Sequence, residues 1–124
     1  MASSLIWRWH AKDPSQAGWY PPPDRTELIW AAIDLDGTLA EPVWPAKSIG
    51  APIARNVAKL FALRAAGYKV VIHTARGWED YEMIESWLMY HNIPWDKIVC
   101  AKLLAAVYVD DKAVHESEGS WLPR

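Results

Sequence analysis

Asp34 and Asp36 stand two residues apart behind an apolar run, with Gly37 and Thr38 directly after them. Two carboxylates so placed repel each other unless a cation or a shared proton relieves them. Gly37 permits a sharp backbone turn, and Thr38 adds a hydroxyl for an oxyanion. Acid, spacer, acid, glycine, threonine at the end of a strand therefore points to phosphoryl transfer with a hard cation. A calcium loop is excluded: such a loop needs further acids and a closing Glu, and Leu39-Ala40-Glu41-Pro42 follows instead.

Three more polar signals fall where apolar runs end. Thr74 closes Tyr68-Lys69-Val70-Val71-Ile72-His73, Lys102 follows Cys100-Ala101, and Asp110-Asp111 closes Ala106-Val107-Tyr108-Val109. A solvated turn would explain Asp110-Asp111 alone. Beside Asp34 and Asp36 it is the weaker explanation, because a core needs no acids at the ends of two apolar strands. A hydroxyl at one strand end and a lysine before another complete a phosphate cradle.

The elements that must carry these groups read as follows. Leu28 to Ile33 predicts a strand buried on both faces, delivering Asp34 and Asp36 to the sheet's carboxyl edge, where open α/β sheets place ligands. Leu39 to Gly50, with Pro42, Pro45 and Gly50, reads as an irregular flap over the acids. Pro52 suits a helix's first turn, Ile53, Val57, Leu60 and Phe61 form its apolar stripe, and Gly67 stops it. A second strand over Tyr68 to Thr74 turns through Ala75-Arg76-Gly77 into a helix over Trp78 to His91. That helix carries Tyr81, Ile84, Trp87 or Leu88, and His91 on one face. A short third strand spans Asp96 to Cys100 and a fourth Ala106 to Val109. Strands alternating with helices imply a parallel sheet, hence an α/β, Rossmann-like three-layer α/β/α fold. Residues 1–27 read as an arm, in which Leu5, Trp7 and Trp9 alternate before the stiff Pro21-Pro22-Pro23, and residues 28–124 as one domain.

Composition narrows the classes. A formal charge of -2 over 124 residues gives nucleic-acid binding no electrostatic support. A single cysteine, Cys100, excludes an internal disulfide framework and a cysteine zinc site. Lying in an apolar run, it reads as a buried inert thiol. His10, His91 and His115 lack metal-ligand spacing. No secretory leader or membrane-spanning stretch is legible, so a cytoplasmic protein is expected. Nine tryptophans are many for this length; they either widen a small core or anchor a surface, and the arm's Trp7, Trp9 and Trp19 suggest self-association.

Asp34-Leu35-Asp36-Gly37-Thr38, Val71-Ile72-His73-Thr74, Lys102 and Val107-Tyr108-Val109-Asp110-Asp111 resemble, in order and spacing, the four motifs of haloacid dehalogenase superfamily phosphatases. The resemblance covers about Leu28 to Ala113. It is nearest to the small bacterial and phage hydrolases with Thr-Ala-Arg in the second motif, here Thr74-Ala75-Arg76, and Asp-Asp-Lys-Ala in the fourth. It implies a core without a cap domain, since only a flap separates Thr38 from Pro52. It implies that Asp34 is the nucleophile, that Asp36 is general acid and then general base, and that Thr74, Ala75, Arg76 and Lys102 hold the substrate. It further implies magnesium on the Asp34 carboxylate, the Asp36 backbone carbonyl and the late acids, with Asp111 as direct ligand and Asp110 behind it. Arg76 stays open between a surface arginine in a turn and a fork reaching a leaving group or second phosphate. Trp44 and Trp78 flank the site by sequence, to stack on a ligand or to pack the flap. Cys100 to Val107 leaves no room for a crossover helix, so either the connection is a compressed turn or Lys112 replaces Lys102. The expected activity is a magnesium-dependent phosphatase acting on an exposed phosphate monoester. The alternatives are a binding or assembly module of the same fold without turnover, and a phosphatase of nucleotides or polynucleotide ends.

Overall fold

The structure, a computed structural model, describes residues 29–123. The arm over residues 1–27, with its strand pattern and tryptophans, lies outside the described residues. Within them the chain runs β1 (Trp30–Ile33), α1 (Ala54–Ala65), β2 (Lys69–His73), α2 (Tyr81–Tyr90) and β3 (Lys97–Val99). A 3-10 turn over Trp78–Asp80 leads into α2. The strands form one parallel sheet in the order β1-β2-β3, with Ala31 opposite Val70, Ile33 opposite Ile72, and Ile72 opposite Ile98. This is a small α/β unit of Rossmann-like kind.

Position in the sheet explains burial. The central strand β2 buries Val70, Val71 and Ile72 in succession, as a strand covered on both faces does. β1 has one strand neighbour among the described residues, and Ala32 is exposed. The burial on both faces expected of β1 is found in β2 instead. Val70 and Ile72 join Leu60 and Leu63 of α1 and Ile84, Trp87 and Leu88 of α2 in one core cluster. The buried positions of α1 are Asn56, Leu60 and Leu63, continuing from Ile53 at helical spacing, whereas Phe61 faces outward. Gly67 ends α1 with φ of 99°, a left-handed conformation that suits glycine. Asp96 fastens the sheet's far side: its carboxylate accepts from the Val70 amide at 2.7 Å and from Arg64 at 2.8 Å.

The expected fourth strand is not formed. The Ala101 and Lys102 amides donate to the Arg76 and Thr74 carbonyls at 2.7 and 2.9 Å, so the chain is held at the end of β2. Too few residues then remain before Val107 for the crossover that a further parallel strand requires. Val107 and Val109 are exposed. Cys100 is buried and free, and burial pushes its thiol pKa up. No helix among the described residues is long and apolar enough to cross a membrane.

Candidate active site

β1 ends at Ile33, and the next four residues turn back on themselves. The amides of Thr38, Leu39 and Ala40 all donate to the Leu35 carbonyl, at 3.1, 2.9 and 3.0 Å, and Gly37 donates to Ala40 at 2.8 Å. Gly37 sits at φ 83° and supplies the left-handed step. Leu35 is fully buried, so the residues on either side of it, Asp34 and Asp36, are turned to the surface of the core. Their side chains keep 38% and 31% exposure, open enough to meet a ligand.

β2 delivers Thr74, whose amide donates to Val99 at 3.0 Å. Its buried hydroxyl accepts the Arg76 amide at 3.1 Å and keeps its own O–H to donate. Ala101 adopts φ of 64°, an uncommon conformation outside glycine, and turns the chain so that Lys102 reaches back over the strand ends. Lys102 Nζ lies 3.5 Å from Asp34 Oδ1 and 4.9 Å from the centre of the Tyr108 ring. Asp34, Asp36, Thr74, Ala75, Lys102, Leu104 and Tyr108 enclose a cavity of about 240 Å³. Lys102 lines the cavity, while Lys112 is exposed and pairs with Asp111 at 3.4 Å. His73, just before Thr74, has its pKa lowered by burial first and by Lys102 second, with Asp34 opposing.

Arg76 is neither a surface arginine nor a free fork. Its side chain is 5% exposed. Nε donates to Asp36 Oδ2 at 2.8 Å, and one terminal nitrogen donates to Asp36 Oδ1 and the Ser48 carbonyl, each at 2.8 Å. The other meets the Ala46 carbonyl at 3.3 Å and Asp80 at 3.7 Å. Four of the five guanidinium N–H groups are used in hydrogen bonds, and the fifth faces Asp80 at ion-pair distance. Arg76 instead joins the acid loop to the flap and to the turn before α2. Its own pKa is raised, chiefly by the hydrogen bond to Asp36.

The flap is fastened elsewhere too. Glu41 donates to Ala51 at 2.8 Å, and Trp87 Nε1 donates to the Gly50 carbonyl at 2.9 Å. A Cβ on Gly50 would overlap the Glu41 carbonyl, which is why glycine sits at this close approach. Trp44, 92% exposed, does not pack the flap. Trp78 stacks on Tyr81, with ring centres 6.1 Å apart.

The late acids do not join the site. Asp110 and Asp111 are exposed and lie outside the cavity lining. Asp110 accepts from the Lys112 amide at 2.7 Å, and Lys112 holds the Asp111 carboxyl below its ordinary value. Both acids were expected to follow a fourth strand, and without that strand nothing carries them to Asp34. The residues present consequently do not compose the magnesium site that the resemblance implies. Among the described residues no three His, Cys, Asp or Glu side chains converge.

Sequence reasoning missed Leu104, Tyr108 and Asn56. Leu104 and Tyr108 wall the cavity, and no sequence signal marked either, since Tyr108 fitted a strand pattern. Asn56 is fully buried and donates to the Thr38 carbonyl at 2.7 Å. Its signal was present: a polar residue at helical spacing from Ile53 and Leu60, on the face that packs inward.

A crystal structure of a target protein from Vibrio cholerae is similar to this chain, with a TM-score of 0.62 and 28% identity over 73% of this chain and 85% of that one. A conserved protein from Bacteroides thetaiotaomicron is similar at a TM-score of 0.49 and 23% identity, over 68% of this chain and 77% of its own. No family model matches the chain, and neither does any curated protein.

Proposed function

We propose that the chain is a phosphatase that hydrolyses a phosphate monoester through an aspartyl-phosphate at Asp34. The observation that carries this reading is the convergence of Asp34, Asp36, Thr74 and Lys102 on one cavity at the strands' carboxyl ends. The resemblance to haloacid dehalogenase superfamily phosphatases supports the roles. An Asp34 oxygen attacks phosphorus while the bond to the leaving oxygen breaks, and Asp36 gives that oxygen its proton. Water then gives a proton to Asp36 and attacks the same phosphorus, the bond to Asp34 breaks, and phosphate leaves. Splitting the hydrolysis this way divides one hard step into two easier ones. Each Asp36 oxygen keeps a second lone pair beyond its bond from Arg76, and one of these holds the transferred proton. Lys102 and the Thr74 hydroxyl balance charge on the phosphoryl oxygens, offsetting repulsion between an anionic substrate and Asp34.

No step here runs through a metal. Magnesium remains part of the proposal as a cation that would need Asp110 or Asp111 beside Asp34. The test is turnover of p-nitrophenyl phosphate with magnesium and with EDTA. Wild type should release phosphate, and a folded Asp34→Asn protein should release none; equal turnover by both removes Asp34 as nucleophile. A second reading, a phosphate-binding module without turnover, draws on the incomplete metal set. Under it inorganic phosphate binds in a Lys102-dependent way while every phosphate ester stays intact.

A further inference from the structure

Asn56 is the buried polar side chain of α1, and the proposed chemistry leaves it unused. It is completely buried, and its Nδ2 makes two bonds of 2.7 Å, to the Thr38 carbonyl and to Glu116 Oε1. Both partners are acceptors, so the amide orientation is fixed: the reverse placing would set an oxygen against two oxygens. The cost of this orientation is visible, because Oδ1 is buried with no hydrogen-bond partner. An apolar side chain would fill the same space without stranding an acceptor. The amide is therefore present for what its nitrogen holds.

Its first partner is the loop that carries Asp36. Thr38 lies two residues beyond Asp36, within the turn whose amides gather on Leu35. Its second partner belongs to the C-terminal segment, which is itself fastened along α1. Lys59 donates to the Glu116 carbonyl at 3.0 Å, Trp121 Nε1 donates to it at 3.3 Å, and Lys59 lies 5.5 Å over the Trp121 ring. Arg55 adds an ion pair to Glu116 at 3.7 Å.

We propose that Asn56 is a positioning residue for the acid loop, and that the C-terminal segment holds Asn56 in register through Glu116. The kinetic consequence rests on the phosphatase reading; the structural one does not. A loop that drifts misplaces Asp36, and a misplaced acid matters most when the leaving oxygen needs a proton. General-acid help is worth ~10²–10⁴-fold, so Asn56→Ala should lower kcat/KM for an alkyl phosphate roughly 10-fold more than for p-nitrophenyl phosphate. A variant that had merely lost folded enzyme would lower both equally, and that result would overturn the proposal. Glu116→Ala should move the ratio the same way, and Glu116→Gln, which keeps an acceptor for Nδ2, should restore most of it. Amide hydrogen exchange supplies the second arm. Thr38, Leu39 and Ala40 should exchange faster in Asn56→Ala while β2 amides keep their wild-type rates. Unchanged exchange at those three amides sinks the strut. If the wild type turns over neither ester, the phosphatase reading fails, and faster exchange still upholds the strut.

Discussion

Replacing Arg76 by alanine removes one side chain and five donors from the centre of the site. Two of them fix the Asp36 carboxylate, two hold flap carbonyls, and one faces Asp80. Breaking a buried ion pair by deleting one partner costs about 3–5 kcal/mol when the survivor cannot reach water. Here the survivors can: Asp36 and Asp80 side chains are 31% and 29% exposed, so water recovers much of that loss. Each orphaned flap carbonyl adds about 0.5–1.5 kcal/mol. A loss of roughly 2–4 kcal/mol follows, which for a chain of this size lowers Tm by about 10 °C. Arg76→Lys should recover only part of it, because an ammonium cannot bind both Asp36 oxygens in a fork and reach two carbonyls as well. Urea unfolding with an unchanged slope measures the stability, and p-nitrophenyl phosphate kinetics on the folded variants measures the site. If Arg76→Ala melts with the wild type and only its KM rises, Arg76 is a substrate ligand and the donor accounting above is wrong.

Lys102→Met should weaken binding of inorganic phosphate severalfold or more, whereas Lys112→Met should leave it within twofold; titration calorimetry reads both, and the opposite order would move the phosphate lysine to Lys112. His73 has a folded pKa below its ordinary 6.5, so below that pH the unfolded chain takes up a proton the folded one refuses, and stability falls with acidification. Urea midpoints at pH 7.5 and 5.5 should show this fall in wild type and a smaller one in His73→Asn. Gly50→Ala should destabilise by more than ~1 kcal/mol and expose the flap base to proteolysis, because its Cβ would meet backbone rather than a mobile side chain.

Local pattern made β2, β3 and both helices legible in the sequence, because their apolar residues recur at the period of the element and glycine or proline closes them. The acids at the end of β1, Thr74 and Lys102 were legible for the same reason: each follows a strand, and strands of a parallel sheet end at one edge. What escaped was set by distance in the chain. The order β1-β2-β3, which leaves Ala32 exposed, is a pairing choice and not a periodicity. Ala106 to Val109 has a strand's composition, yet the bonds of Ala101 and Lys102 to the preceding turn deny it the length to re-enter the sheet. Arg76 stayed open between a turn arginine and a ligand fork because nothing near it in sequence announces Asp36, Ala46 and Ser48 as its partners.

The hydrogen bond from Glu41 to Ala51 brings the two ends of the flap together, so the nine residues between them form a closed loop on a fixed base. Chain added at the tip, beside the solvent-facing Trp44, would not have to pull that base apart. The entropic cost of lengthening a closed loop grows only with the logarithm of its length. The tip is therefore a place where a graft of many residues, even a folded module, can enter the protein at little cost to the core. Such a graft would stand on the loop whose Ala46 and Ser48 carbonyls Arg76 ties to Asp36. A short flap of this kind is a socket: the sheet and its strand ends stay as they are while a different piece of chain is plugged in.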